Sequence, residues 1–141
     1  MRLIGAGQRC LELACQRVED RETFGNKLSQ HQSIRENIAK SYAELEMARL
    51  LVHKTCWHID HHGVKPSIEL ISATKISVPL MIQAIIDRCM QMHGAGGLTE
   101  DWCMAEQFNY ARWCRQADGP DEVHQMALGK RIIQQYAEAL K

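Results

Sequence analysis

The sequence predicts an all-α, antiparallel four-helix bundle, and three observations carry that reading. Apolar residues recur at three- and four-residue steps over long stretches, the spacing of one face of a helix. No segment shows sustained strand alternation, and glycine and proline fall mostly between the stripes. The chain has 141 residues, 45% of them hydrophobic, enough for a single domain over 1–141 with its own core.

The first helix is expected over 2–19, with Leu3, Gly7, Cys10, Leu11, Ala14 and Val18 on one stripe. The polar stretch DRETFGNKLS then reads as a loop. The stripe resumes over 30–61 through Ile34, Ile38, Leu45, Val52 and Ile59, a helix of roughly 45 Å. Gly63 is placed to stop it, and Pro66 suits the first turn of the next helix. That third helix is expected over 66–92, with Pro79 kinking it or opening one hydrogen bond. GAGG at 94–97 breaks the chain, a shorter helix follows over 100–115, and Gly119-Pro120 opens a last one. The expected core is Ile38, Leu45, Val52, Ile71, Val78, Ile82 and Ile85.

Composition removes several function classes. Acids and bases balance at 17 each, so no global field points to nucleic acid or anionic lipid. No apolar run is read as membrane-spanning, and the first residues lack a signal-peptide pattern. Six cysteines without a Cys-x-x-Cys pair suggest reduced, mostly buried thiols in an intracellular protein. His58 and His62 stand one helical turn apart, a spacing that can chelate a metal, but no further ligands follow at a recognisable interval. A di-iron bundle site needs two acid-x-x-His steps, and only Asp121–His124 supplies one, so no metal is expected.

Three stretches remain as candidates. GAGG is either a plain interhelical turn or a place where backbone N–H groups approach a phosphate. RETFG sets Arg21 and Phe24 in a polar loop, suited to a ligand with phosphate at one end and a ring at the other; Phe24 could equally tuck under the loop. Asp118 precedes Gly119-Pro120-Asp121-Glu122, which is sound helix-start grammar in itself, with the acids favoured by the helix dipole. Asp118 is therefore either a helix-mouth acid or a carboxylate held for chemistry.

Taken in order, Arg21-x-x-Phe24-Gly25, His31-Gln32, Gln91-Met92-His93-Gly94-Ala95-Gly96-Gly97 with Thr99-Glu100, and Ala117-Asp118-Gly119 resemble the C-terminal helical domain of the acyl-CoA dehydrogenases. The resemblance covers essentially the whole chain. The string Ala-Asp-Gly-Pro-Asp-Glu-Val-His is most similar to the branch of the family members ten and eleven type.

That resemblance implies FAD as cofactor, held between domains and across a subunit interface, and an acyl-CoA thioester as substrate. Arg21 is implied to pair with the pyrophosphate, Phe24 to pack near the adenine, and Thr23, His31 and Gln32 to line the same site. Gln91, His93, Gly94 and Ala95 are implied at the adenosine end, with Glu122 standing where a glutamine is common. Asp118 falls at the catalytic carboxylate, which takes the α-proton while hydride leaves the β-carbon for the flavin, and Gly119 leaves room for the substrate carbonyl. Two departures stand out: aspartate is one methylene shorter than the usual glutamate, and Pro120 replaces a hydroxyl residue. The resemblance further implies a homodimer or homotetramer. It also implies N-terminal helical and β domains that are not in this chain, which reads as a fragment inactive by itself. Residence would be mitochondrial or peroxisomal in a eukaryote, cytoplasmic in a bacterium. The competing expectation is a flavin-free helical bundle that serves oligomerisation only.

Overall fold

The computed structural model describes residues 1–140. Five α-helices form an antiparallel bundle: α1 (Arg2–Asp20), α2 (Gln32–His62), α3 (Ile68–His93), α4 (Met104–Cys114) and α5 (Asp121–Ala139). Short 3-10 turns at Leu28–Gln30, Lys65–Ser67 and Gly94–Leu98 join them. The helices are where the stripes predict them, with α1, α2 and α3 each within two residues of the expected ends.

α3 is the spine. Ile82, Ile85, Ile86 and Cys89 are fully buried, packed with Ile4, Cys10 and Ala14 of α1 and Leu45 and Ala48 of α2. Polar contacts inside this apolar layer set its register. Thr55 and Thr74 share a 2.7 Å hydrogen bond between α2 and α3. Arg88 pairs with Glu44 and donates to Ser41 Oγ at 2.9 Å. Both members of the Arg88–Glu44 pair are largely buried, so their desolvation is tolerable only because each finds the other. Pro79 sits within α3 without ending it. The helix with its flanking turns, Lys65–Leu98, is long and apolar enough to cross a membrane, contrary to the sequence reading. In this fold its buried residues, Ile82, Ile85, Ile86 and Cys89 among them, pack within the bundle core.

Four other expectations change. DRETFGNKLS is not a plain loop: Glu22–Thr23 and Asn26–Lys27 pair as a minimal antiparallel hairpin, β1 and β2. Its two central residues, Phe24 (φ 53°) and Gly25 (φ 79°), both take positive φ, the turn whose twist matches a hairpin. The helix expected from 100 begins only at Met104, because Thr99 folds back on the glycine turn, its hydroxyl bonding the Gly96 carbonyl at 2.8 Å. Of the expected core, Ile38 and Ile71 are only half-buried; Ile38 lines an open groove between α1 and α2. The cysteines are all free, but only Cys10 and Cys89 are buried, while Cys15 and Cys56 are exposed. Burial pushes the Cys89 thiol up to about 12 and the Cys10 thiol higher still, so both stay protonated.

The end of α3 is built by glycines with different tasks. Gly94 takes φ 64° to turn the chain, and Gly97 allows a close approach: a Cβ there would lie 2.7 Å from the Met90 carbonyl oxygen. Beside it His93 is buried, its Nδ1–H donating to the Cys89 carbonyl at 2.8 Å and its ring edge-on to Trp102. The remaining nitrogen, Nε2, is buried without a partner.

Two outcomes follow for this corner. Gly97→Ala should lower stability by about 1–3 kcal/mol in urea unfolding, since backbone rather than a flexible side chain must move. Burial also holds the His93 imidazole below its ordinary value. The neutral ring's contribution is then complete above about pH 6.5 and lost as pH falls toward the depressed folded value. The urea midpoint of the wild type should accordingly drop more between pH 7 and 5 than that of His93→Asn; parallel curves would show that His93 carries no such dependence.

Candidate functional site

Two clefts take up the sequence candidates, and α3 serves both. The first is a cavity of about 430 Å³ between the end of α1 and the end of α3. Arg21 follows α1 directly, its N–H bonded to the Arg17 carbonyl at 3.0 Å and its own carbonyl accepting the Leu28 N–H at 2.8 Å. The hairpin is thereby tied back beside the helix it leaves. Across the gap stand the last turn of α3 and the glycine turn. Arg21, Thr23, Gln91, His93, Gly94 and Ala95, six of the predicted cofactor residues from two separate stretches, line this one cavity.

Its charge is one-sided. No carboxylate lines it, and neither Arg17 nor Arg21 has an ion-pair partner among the described residues. Arg17 was not singled out from sequence, yet it precedes Arg21 by four residues, about one helical turn, and lines the same cavity. Like charges at that spacing repel, and a helix C-terminus only partly compensates them. A polyanion between the two would satisfy both. Gly94 adds a backbone with open space where a side chain would stand.

Four predicted cofactor residues lie apart from this cavity's lining. Phe24 is at the hairpin tip, 97% exposed. His31 precedes α2 with its Nε2 buried and unpartnered. Gln32 is exposed and donates to Glu36 at 2.7 Å, and Glu122 is exposed in the first turn of α5.

The second cleft, about 350 Å³, holds Asp118. α4 ends in a tight turn, with the Gln116 and Ala117 N–H groups both bonded to the Trp113 carbonyl. Asp118 (φ 56°) and Gly119 (φ 101°) then reverse the chain, and α5 begins at Asp121. A positive φ at a residue with a Cβ is a strained choice, and here it falls on the candidate base. Gly119 is required twice over, by its φ and by His124 Nε2, which would lie 3.2 Å from an added Cβ. That nitrogen donates to the Asp118 carbonyl at 3.1 Å. Lys75, Val78, Pro79, Tyr110 and Trp113 face the same cleft, and Lys75 Nζ donates to the Cys114 carbonyl at 2.8 Å. Asp118 itself is exposed at the rim.

Asp121 behaves differently from its sequence reading as a dipole-complementing acid. It is 4% exposed, and Arg115 Nε donates to its Oδ2 at 2.7 Å. The bond between Arg115 and Asp121 spans the turn that carries Asp118, and the sequence reading did not foresee it. At the far end of α2, Trp57 stacks on His61 and His58 lies 4.5 Å from His62, but no group of three or more metal-binding side chains forms among the described residues.

Residues 1–133 match the family described as acyl-CoA dehydrogenase, C-terminal domain. The chain is 38% identical over its whole length to acyl-CoA dehydrogenase family member 11 of Rattus norvegicus, covering 18% of that protein. An acyl-CoA dehydrogenase structure from Mycobacterium abscessus superposes with a TM-score of 0.94 at 39% identity, over 96% of this chain and 33% of that one. A glutaryl-CoA dehydrogenase from Mycobacterium smegmatis in complex with FADH2 gives 0.86 at 28% identity, over 92% and 33%. The chain thus spans about a third or less of the proteins it matches. Fold and relatives agree, and the chain belongs to the C-terminal domain family of the acyl-CoA dehydrogenases.

Proposed function

We propose that this chain supplies the catalytic base and part of the FAD grip of an acyl-CoA dehydrogenase, acting on an acyl-CoA thioester. The observation that carries the reading is the unpaired Arg17–Arg21 cavity, which gathers six motif residues and no acid. A pyrophosphate fits that charge and that glycine backbone; a neutral ligand leaves two guanidiniums repelling each other. Bound with its diphosphate there, FAD supplies the acceptor for the hydride that leaves the substrate β-carbon.

The chain's own residues divide the rest. Arg21, with Arg17 behind it, holds the diphosphate, and Thr23, Gln91, His93, Gly94 and Ala95 shape the adenosine end. Phe24, His31, Gln32 and Glu122 face outward or stand apart in this chain, which suits contacts to cofactor completed by a neighbouring subunit. Asp118 takes the α-proton. As an aspartate it has a shorter reach than a glutamate, so the thioester must sit closer to the turn; Gly119, without a Cβ, permits that approach. The base must also work in a dry site to be strong enough, and Tyr110, Trp113 and Val78 offer apolar walls on the side this chain provides. Homodimer or homotetramer assembly is part of the reading. On α5, Val123, Met126, Ile133 and Tyr136, with Leu140 just past its end, are exposed at helical spacing, an apolar stripe suited to a second copy.

One experiment separates the two roles in the FAD-loaded holoenzyme. Asp118→Asn should retain flavin and bind acyl-CoA while reduction of the flavin by substrate slows at least roughly 10²-fold, and Asp118→Glu should recover part of the rate. Arg21→Ala should instead weaken flavin retention, by on the order of 1.5–3 kcal/mol for a lost charge-assisted pair. Wild-type reduction by Asp118→Asn would remove the base assignment, and unchanged flavin content in Arg21→Ala would remove the cofactor assignment.

A further inference from the structure

We infer that Arg115 and Asp121 form a clamp that aims Asp118, so that both are positioning residues for proton abstraction; this rests on the reading of Asp118 as the base. The turn between α4 and α5 has only six residues, from Arg115 to Pro120, and two of them, Asp118 and Gly119, hold positive φ in succession. Glycine adopts that conformation freely, an aspartate less readily. Left to itself the turn would relax, and the Asp118 carboxylate would swing with its backbone. Something must hold it.

The structure shows three ties. Arg115 Nε donates to Asp121 Oδ2 at 2.7 Å, closing the turn three residues to either side of Asp118. Arg115 Nη1 donates to Gln83 Oε1 at 3.2 Å, fixing the closed turn to α3. His124 Nε2 donates to the Asp118 carbonyl at 3.1 Å, pinning the strained peptide from inside α5. Of these, the Arg115–Asp121 pair is the strongest, being ionic, and the best shielded: the Asp121 side chain is 6% exposed. Screening by water and salt is correspondingly weak at its acidic end. Gln83 belongs to the same helix as Ile82, Ile85 and Ile86, so the clamp refers the position of Asp118 to the most rigid part of the core. A capping role for Asp121 alone does not account for this, because its Oδ2 turns back to Arg115 and its Oδ1 is buried without a partner.

The test uses the FAD-loaded holoenzyme with Asp121→Asn, Arg115→Lys and each of these combined with Asp118→Asn. Single-turnover flavin reduction is read beside flavin content and acyl-CoA affinity. Asp121→Asn should slow reduction roughly 10–100-fold, the usual cost of a small misplacement of a reacting group, with flavin content and affinity unchanged. Arg115→Lys keeps the charge but lacks the second donor for Gln83, so it should lose less, and it carries the test should Asp121→Asn not fold. In the Asp118→Asn background either change should alter the residual rate by less than about twofold, since no base remains to be aimed. Amide hydrogen exchange supplies a readout without turnover: protection of residues 116–119 should fall in Asp121→Asn, while that of α2 does not. Wild-type reduction rates in Asp121→Asn and Arg115→Lys would overturn the clamp, as would an equal loss with and without the Asp118 carboxylate, or unchanged exchange in the turn. If Asp118→Asn alone reduced flavin at the wild-type rate, the base reading would fall and the clamp's catalytic role with it, a result told apart by that single variant.

Discussion

Everything functional in this chain is referred to one close contact, where α1 crosses α3 at Gly7. A Cβ on Gly7 would lie 3.0 Å from Ile82 Cδ1 and 3.5 Å from Leu45 Cδ1, so the absence of a side chain sets how near the two helices approach. That approach lets Ile4, Cys10 and Ala14 bury against Ile82, Ile85 and Ile86. It also fixes where α1 ends, and therefore where Arg17 and Arg21 meet the glycine turn at the end of α3. A larger residue at position 7 would push α1 outward and open the cavity several turns away.

α3 then acts as a ruler. Its residues Thr74–Pro79 border the Asp118 cleft and its last turn borders the arginine cavity, some 12–13 residues or about 20 Å apart along the axis. A continuous, buried helix keeps that separation constant, and its cross-links to α2 at Thr55–Thr74 and Arg88–Glu44 prevent it from rotating. Pro79 fits this account: with its side chain buried it removes one backbone hydrogen bond without ending the helix. The length and apolarity that would let the same helix cross a bilayer are what a helix packed by others on several sides requires.

The helices were legible because their apolar spacing is long and uninterrupted, and the motif residues of the arginine cavity because their order along the chain is distinctive. What stayed hidden is short-range or three-dimensional. The β1–β2 hairpin has two-residue strands, too brief for alternation to register, and its turn is Phe24-Gly25 rather than an Asn-Gly or Asp-Gly pair. The late start of α4 depends on one hydroxyl, that of Thr99. Ile38 carries the same pattern as Leu45, but the stripe cannot tell which side of α2 another element covers. Arg17 is an ordinary helical arginine until the glycine turn is seen opposite it. Asp121 reads as a surface acid at a helix start, and only the fold buries it against Arg115.

The proposed function divides between a cationic cavity to grip a diphosphate and a carboxylate on a strained turn to remove a proton. The second half is the more specific claim, and it can be read without following hydride transfer at all. The direct measurement is exchange of the acyl-CoA α-hydrogens with deuterated solvent, followed by mass spectrometry on flavin-loaded wild type and Asp118→Asn under conditions where substrate stays bound. The account predicts that the wild type exchanges the α-position and that Asp118→Asn slows this at least roughly 10²-fold while still binding the thioester. Exchange at the wild-type rate in the asparagine variant would contradict it, and Asp118 would then be a helix-mouth acid with the base on another segment.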